Sequence, residues 1–178
     1  SNPQIGNGPA AGRNIISANS TGINVGAGPT YIHGNYIGTD ETGLVDRGNG
    51  VAGVSLTGGS GEVGGTTSGE GNIISGNSFG SGASIGGFSI MGNYIGTNAS
   101  GTAAIPNDNQ GIRLGVGTGT NIGDGTSNGA NLISGNTQEG IIVFNASVTA
   151  NSIRGNLIGV QSDGVTPLGN GDHGIRID

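Results

Sequence analysis

Asn14-Ile15-Ile16-Ser17 recurs as Asn72-Ile73-Ile74-Ser75 and as Asn131-Leu132-Ile133-Ser134, at spacings of 58 and 59 residues. Gly34-Asn35-Tyr36-Ile37-Gly38-Thr39 recurs as Gly92-Asn93-Tyr94-Ile95-Gly96-Thr97 and as Gly155-Asn156-Leu157-Ile158-Gly159-Val160, spaced 58 and 63. A third element precedes each copy of the first by nine residues: Ile5-Gly6-Asn7-Gly8, Val63-Gly64-Gly65-Thr66 and Ile122-Gly123-Asp124-Gly125. Three motifs sharing one period make the 178-residue chain three copies of a ~58-residue unit, the mark of a repeat architecture. The element common to the first two motifs, Asn-x-Ile, stands at 14, 35, 72, 93, 131 and 156, in steps of 21, 37, 21, 38 and 25. A step near 21 suits one coil of three short strands. The longer steps read as the same coil carrying a loop of about 15 extra residues, at 40–49 and 98–109, where Gly, Pro, Asn and Asp supply turns.

Composition agrees with a turn-rich β architecture. The chain holds 42 Gly, 21 Asn and 21 Ile, six aromatics, no Cys, no Trp and no Lys. Gly never settles into every third position and Pro is scarce, which excludes collagen. Gly at this density would cost a helix about 1 kcal/mol per occurrence. Short segments alternate apolar and polar residues, as a strand with one buried face does: 22–25, 54–56, 111–114, 140–143 and 174–177. A single coil of such strands has no core. Stacked in register about 4.8 Å apart, coils pair their backbones in parallel sheets and bury their inward side chains on one another. The Ile at the third position of Asn-x-Ile (Ile16, Ile37, Ile74, Ile95, Ile133, Ile158) then forms an internal column. The six Asn form a ladder at a corner, since Asn tolerates turn backbone and its carboxamide bonds to copies above and below.

The Gly-Ile-x-Ile and Asn-x-Ile-x-Gly-Asn pattern, with its Asn-Tyr-Ile-Gly-Thr elements, resembles right-handed parallel β-helix repeat proteins, above all the tandem arrays of large secreted or surface proteins of bacteria. The resemblance covers nearly the whole chain. It implies an all-β fold, a right-handed parallel β-helix (solenoid) of about six coils in three ~58-residue units. Residues 1–178 then form one segment, expected to belong to a longer array and to sit outside the cell or on its surface. The same solenoid carries lyases, hydrolases, tailspikes and adhesins, so function must be read from particular residues.

Eleven carboxylates face five Arg, a net charge of −6. That balance speaks against nucleic acid, which needs a basic stripe, and no apolar run is long enough for membrane insertion. Hydrolases of this fold need carboxylates gathered on one face, whereas here the acids are scattered through turns beside Gly or Asn. The densest group is Asp172-His173-Gly174-Ile175-Arg176. Asp172, His173 and Arg176 are therefore the candidate catalytic residues if there are any, although the matching places read Gly48-Asn49-Gly50-Val51 and Asn109-Gln110-Gly111-Ile112-Arg113. No metal site is expected: Asp40-Glu41 offers oxygens for Ca²⁺, but the matching loops carry Asn98-Ala99 and Ser162-Asp163. Gly115-Val116-Gly117-Thr118-Gly119 has the spacing of a phosphate loop but no helix behind it.

The residues preceding the Ile column (Ile15, Tyr36, Ile73, Tyr94, Leu132 and Leu157) should face outward together. Tyr36 and Tyr94 would then be the candidate binding residues, an aromatic shelf for a sugar ring of a polysaccharide or cell-surface glycan. The competing expectation is that the inserted loops fold back over this stripe. The favoured reading is a non-catalytic structural or adhesive segment with weak carbohydrate or surface binding, whose open ends associate end to end. The alternative is a polysaccharide lyase or glycoside hydrolase fragment acting in a groove along the helix.

Overall fold

The structure is a computed structural model, and it describes residues 2–8, 10–83, 87–115, 117–144 and 149–178. Val116 of the Gly-x-Gly stretch lies outside the described residues. Among the described residues, eighteen strands, β1 to β18 in chain order, are distributed over three parallel sheets of six. The first sheet stacks β1 (Gln4–Ile5), β4 (Pro29–Ile32), β7 (Ser60–Gly64), β10 (Phe88–Met91), β13 (Asn121–Ile122) and β16 (Ser152–Ile153). The second stacks β2 (Ile15–Ile16), β5 (Tyr36–Ile37), β8 (Ile73–Ile74), β11 (Tyr94–Ile95), β14 (Leu132–Ile133) and β17 (Leu157–Ile158). The third stacks β3 (Thr21–Val25), β6 (Ala52–Leu56), β9 (Phe79–Ala83), β12 (Ile112–Leu114), β15 (Ile141–Val143) and β18 (Ile175–Ile177). Consecutive strands visit the three sheets in turn, so the chain is an all-β parallel solenoid. No helix among the described residues is long and apolar enough to cross a membrane.

The five strand segments expected from alternation all fall in the third sheet. Its remaining member, β9, escaped because Gly80-Ser81-Gly82-Ala83 offers no large apolar residue to alternate. The Ile column stands as expected: Ile16, Ile37, Ile74, Ile95, Ile133 and Ile158 are in direct register along the second sheet. Its four middle members have no solvent exposure. A matching column in the first sheet runs Ile5, Ile32, Val63, Ile90, Ile122 and Ile153. Each fully buried Ile contributes roughly 1.5–3 kcal/mol of apolar transfer.

The uneven steps of Asn-x-Ile have a different cause from the one expected. No coil lacks an insertion. Odd coils insert between the first and second sheets (6–14, 65–72, 123–131), and even coils between the second and third (38–51, 96–111, 159–174). Passing from an odd to an even coil along the second sheet crosses neither insertion, and passing from even to odd crosses both. The coil itself is nearly constant. It repeats every 30, 28, 30, 29 and 34 residues when counted at a second corner, through Asn19, Asn49, Asn77, Asn107, Asn136 and Asn170.

Both corners are Asn ladders. At the first, Asn72 Nδ2 donates to Asn93 Oδ1 and to the Ile32 carbonyl, while its own Oδ1 accepts from the backbone N and Nδ2 of Asn35. The same pattern links Asn14, Asn35, Asn72, Asn93, Asn131 and Asn156. At the second corner Asn77 Nδ2 reaches Asn107 Oδ1 and the Ile37 carbonyl. Each carboxamide thus satisfies backbone groups that the turn takes out of the sheets.

Beside the second ladder runs a column of glycines, including Gly53, Gly80 and Gly111. A Cβ on Gly53 would lie 2.7 Å from Ile74 Cγ2, 2.8 Å from Asn77 Nδ2 and 2.9 Å from the Gly80 carbonyl. Gly50, three residues earlier, has nothing nearer than 3.9 Å.

Gly53→Ala should therefore destabilise the protein by about 1–3 kcal/mol through overpacking, while Gly50→Ala changes it little. Asn72→Ala orphans several buried groups and should cost about 3 kcal/mol or more, against about 0.5 kcal/mol for Asn14→Ala at the exposed end of the same ladder. Urea denaturation of the four variants checks both comparisons. Equal losses within either pair would contradict the packing described.

Candidate functional site

The outer face of the second sheet carries Ile15, Tyr36, Ile73, Tyr94, Leu132 and Leu157 in direct register. The insertions rise on either side of it. Those of the even coils close by short antiparallel bridges, Thr39 to Asp46, Thr97 to Ala104 and Val160 to Pro167. They also stack on one another across the intervening coil: Ala99 N donates to the Gly43 carbonyl, and Ser162 N to that of Gly101.

These loops lean over the stripe. A Cβ on Gly43 would lie 2.9 Å from Tyr36 Cε2, and one on Gly101 would lie 2.6 Å from Leu132 Cδ2 and 3.0 Å from Tyr94 Cε2. Both glycines have φ near +70° (67° and 69°), which the loop turn also demands. Leu132 is consequently 1% exposed and the two tyrosines are half-buried, while Ile15 at the first coil stays 44% open. Between the two walls a cleft of about 290 Å³ remains, lined by Arg13, Tyr36, Gly69, Gly71, Asn72, Ile73, Gly92, Tyr94 and Ala99. One face of the Tyr36 ring is already taken: the Arg13 guanidinium lies 3.8 Å from its centroid. Gly71 occupies the place of Arg13 two coils on, so Tyr94 has no such cover from that position.

The second assembly of polar side chains lies where the last three coils meet. Gln110, Glu139 and His173 stand in one column immediately before Gly111, Gly140 and Gly174, and Asn109, Gln138 and Asp172 stand in the next. The place equivalent to Asp172-His173 in the second coil is therefore Val51-Ala52, not the Gly48-Asn49 that matching the repeats by sequence suggests. The Glu139 side chain is only 4% exposed and accepts from Gln110 Nε2 at 2.9 Å and Arg176 Nη1 at 3.3 Å. His173 Nδ1 lies 2.9 Å from Asp172 Oδ1, and Arg176 Nε is 3.0 Å from Asp178. So Asp172, His173 and Arg176 do come together, around a carboxylate that sequence reading missed. The signal was available: Gln138-Glu139-Gly140-Ile141 aligns with Asn109-Gln110-Gly111-Ile112 and Asp172-His173-Gly174-Ile175.

The chemistry of this cluster is that of a staple. The hydrogen bond from Gln110, then that from Arg176, holds the Glu139 carboxyl below the ordinary glutamate range despite its burial. A carboxylate so held gives up no proton near neutrality, which is the opposite of the raised acid a glycosidase uses. Glu139, Asp172 and His173 bring donor atoms within 4.8 Å of one another, a set suited to a divalent transition metal. The adjacent Arg176 guanidinium opposes a cation there.

Elsewhere the acids close loops. Asp40 Oδ1 accepts from Thr42 Oγ1 and the Leu44 and Val45 N–H groups, and Asp163 does the same for Val165 and Thr166. Asn98 replaces Asp40 in the middle loop and accepts from Thr102 and Ala103. The role calls for an acceptor rather than a charge. The remaining histidine, His33, is buried with Nε2 3.5 Å from Glu62 and its ring edge-on to Tyr31.

The hydrogen bonds that hold Glu139, Asp40, Asp124 and Asp163 below their ordinary values fix the sign of the acid response. Each folded carboxyl binds its proton less tightly than the unfolded chain does. The stabilisation is full at neutral pH and is lost as pH falls below about 4–4.5 and through the folded values. The thermal midpoint should accordingly drop on acidification from pH 7 to 3, and Glu139→Gln should flatten that drop. A midpoint that rises toward pH 3 would contradict the network.

No family model matches the chain, and no curated protein or solved structure matches it either.

Proposed function

We propose that this chain is a non-catalytic structural or adhesive segment of an extracellular bacterial protein, and that it holds an extended glycan weakly in the cleft over the second sheet. One observation carries the scaffold reading: the polar side chains of the interior are committed to the fold. Both Asn ladders run from the first coil to the last. His33 Nε2 is the one buried side-chain nitrogen or oxygen without a hydrogen-bond partner among the described residues. The extracellular and bacterial parts rest on the likeness of the repeats to surface arrays.

The glycan reading rests on Tyr36 and Tyr94. They are two coils apart in register on either side of Ile73, which separates them by roughly 9.6 Å, two strand spacings. A fixed aromatic spacing of that size suits alternate sugars of an extended chain, each ring meeting an apolar sugar face. The backbones of Gly69, Gly71 and Gly92 give the floor a polar rim, as in other small-ligand clefts. The Glu139–Asp172–His173–Arg176 cluster is the observation that favours the lyase or hydrolase alternative, and the ionised, hydrogen-bonded state of Glu139 speaks against it.

Binding to an immobilised panel of polysaccharides tests the reading. A glycan that binds the native chain should lose about tenfold in affinity with Tyr94→Ala, one stacking contact being worth roughly 1 kcal/mol or somewhat more. The thermal midpoint of that variant should fall modestly, because Tyr94 is half-buried beneath the Gly101 loop, so binding is compared where both proteins are folded. A loss of stability with unchanged binding would assign Tyr94 to the loop packing instead. Release of reducing ends or unsaturated products from the same panel would establish the enzymatic alternative.

A further inference from the structure

The cleft over the second sheet has a side opening. Resting on the glycan reading of that cleft, we propose that its ligand is a branched polysaccharide: the main chain lies along the second sheet, and a neutral side-chain sugar enters an adjoining hollow between two odd-coil insertions.

The hollow lies between the insertions of the third and fifth coils, 65–72 and 123–131. Thr66, Thr67 and Ser68 line it from one insertion and Asn128 from the other, and its volume is about 260 Å³. That is the volume of roughly nine waters at about 30 Å³ each, which a single sugar ring can replace. Gly69, Gly71 and Gly92 belong to the walls of both the hollow and the cleft, so no side chain separates the two. A Cβ on Gly71 would collide with the Gly92 carbonyl, and one on Gly92 with the Gly65 carbonyl, so the passage stays bare. The cleft alone falls just short of the roughly 300–1,000 Å³ of small-ligand sites, whereas cleft and hollow together lie well inside that range.

The passage is open at one repeat and barred at another. The three odd-coil insertions have equal length and match residue for residue. Arg13 stands in the first where Gly71 stands in the second, and its Nε donates to the carbonyl of Gly34, the counterpart of Gly92, at 3.3 Å. Arginine thus closes beside Tyr36 the way that glycine leaves open beside Tyr94. The lining differs too. Thr66, Thr67 and Ser68 replace Gly8, Pro9 and Ala10 of the first insertion, and Asn128 replaces the Ala11 and Gly69 of the other two. In the fifth coil the Thr126 hydroxyl is bound within its own loop, donating to Asp124 and accepting from the Gly129 N–H. In the third coil Glu70 Oε2 accepts the Thr67 N–H instead, and the Thr66, Thr67 and Ser68 hydroxyls bond no other described residue. Hydroxyls, a carboxamide and backbone amides line the hollow, with no charged or aromatic group among them. Such a lining suits the hydroxyls of a neutral sugar and neither an ion nor an apolar group.

Oligosaccharides of galactomannan, xyloglucan and arabinoxylan, each paired with its own backbone stripped of side chains, are the probes, and titration calorimetry is the measurement. The native chain should bind the branched member of a pair about tenfold more tightly than its bare backbone, as one or two hydrogen bonds provide. Thr67→Val combined with Asn128→Ala changes two exposed positions of the hollow. That double variant should bind branched and bare forms alike, at the native affinity for the bare one. Tyr94→Ala should weaken both forms by the same factor. Equal native affinities for branched and bare forms, or a double variant that keeps the preference, would overturn the branch inference while leaving glycan binding in the cleft intact. A native chain that binds neither form of any pair would overturn the glycan reading and this inference with it.

Discussion

No coil of this chain has an interior of its own; apolar side chains are buried only because the coil above and the coil below are in register. That single constraint dictates most of the architecture. Register must be held at the corners, where the backbone leaves the sheets and its N–H and C=O groups lose their partners. A side chain that both donates and accepts, is short enough for a turn and can be repeated indefinitely meets the requirement, and Asn does so at two corners of every coil. The ladder ties each corner to its neighbours and the sheets then pair without slippage. The glycine column is the steric counterpart: where the carboxamides and the isoleucine methyls converge, there is no space for a Cβ.

Much of this was legible in the residues. The Ile column and the first Asn ladder emerge from one motif read six times, because its Asn and Ile sit at fixed offsets. The second ladder was not seen. Its asparagines alternate between two contexts, Ser-x-Asn at 19, 77 and 136 and an Asn after Gly or Pro at 49, 107 and 170, so no single motif spans all six. The insertions misled for a related reason. A motif placed between two alternating insertion points reports their sum on one step and neither on the next, so equal coils look unequal.

The sites were less legible than the scaffold. Tyr36 and Tyr94 were correctly placed on one face, but periodicity says nothing of loops that lean over that face or of Arg13 settling on a ring. Asp172, His173 and Arg176 were gathered by proximity in sequence. What organises them is Glu139, one coil away and 37 residues from Arg176 along the chain. Side chains one coil apart are neighbours in space and strangers in sequence, and they are found only after the coil length is known.

The alternating insertions also set a rule for inheritance. Losing one coil of about 30 residues would bring two insertions of the same kind onto adjacent turns, about 4.8 Å apart, where loops now spaced two turns apart already touch. Losing two coils leaves every loop with the neighbour it had. Inside the array, coils are thus gained or lost without clash in pairs of turns, which is the ~58-residue period of the sequence. Natural variation in the number of repeats should come in that unit and no smaller one.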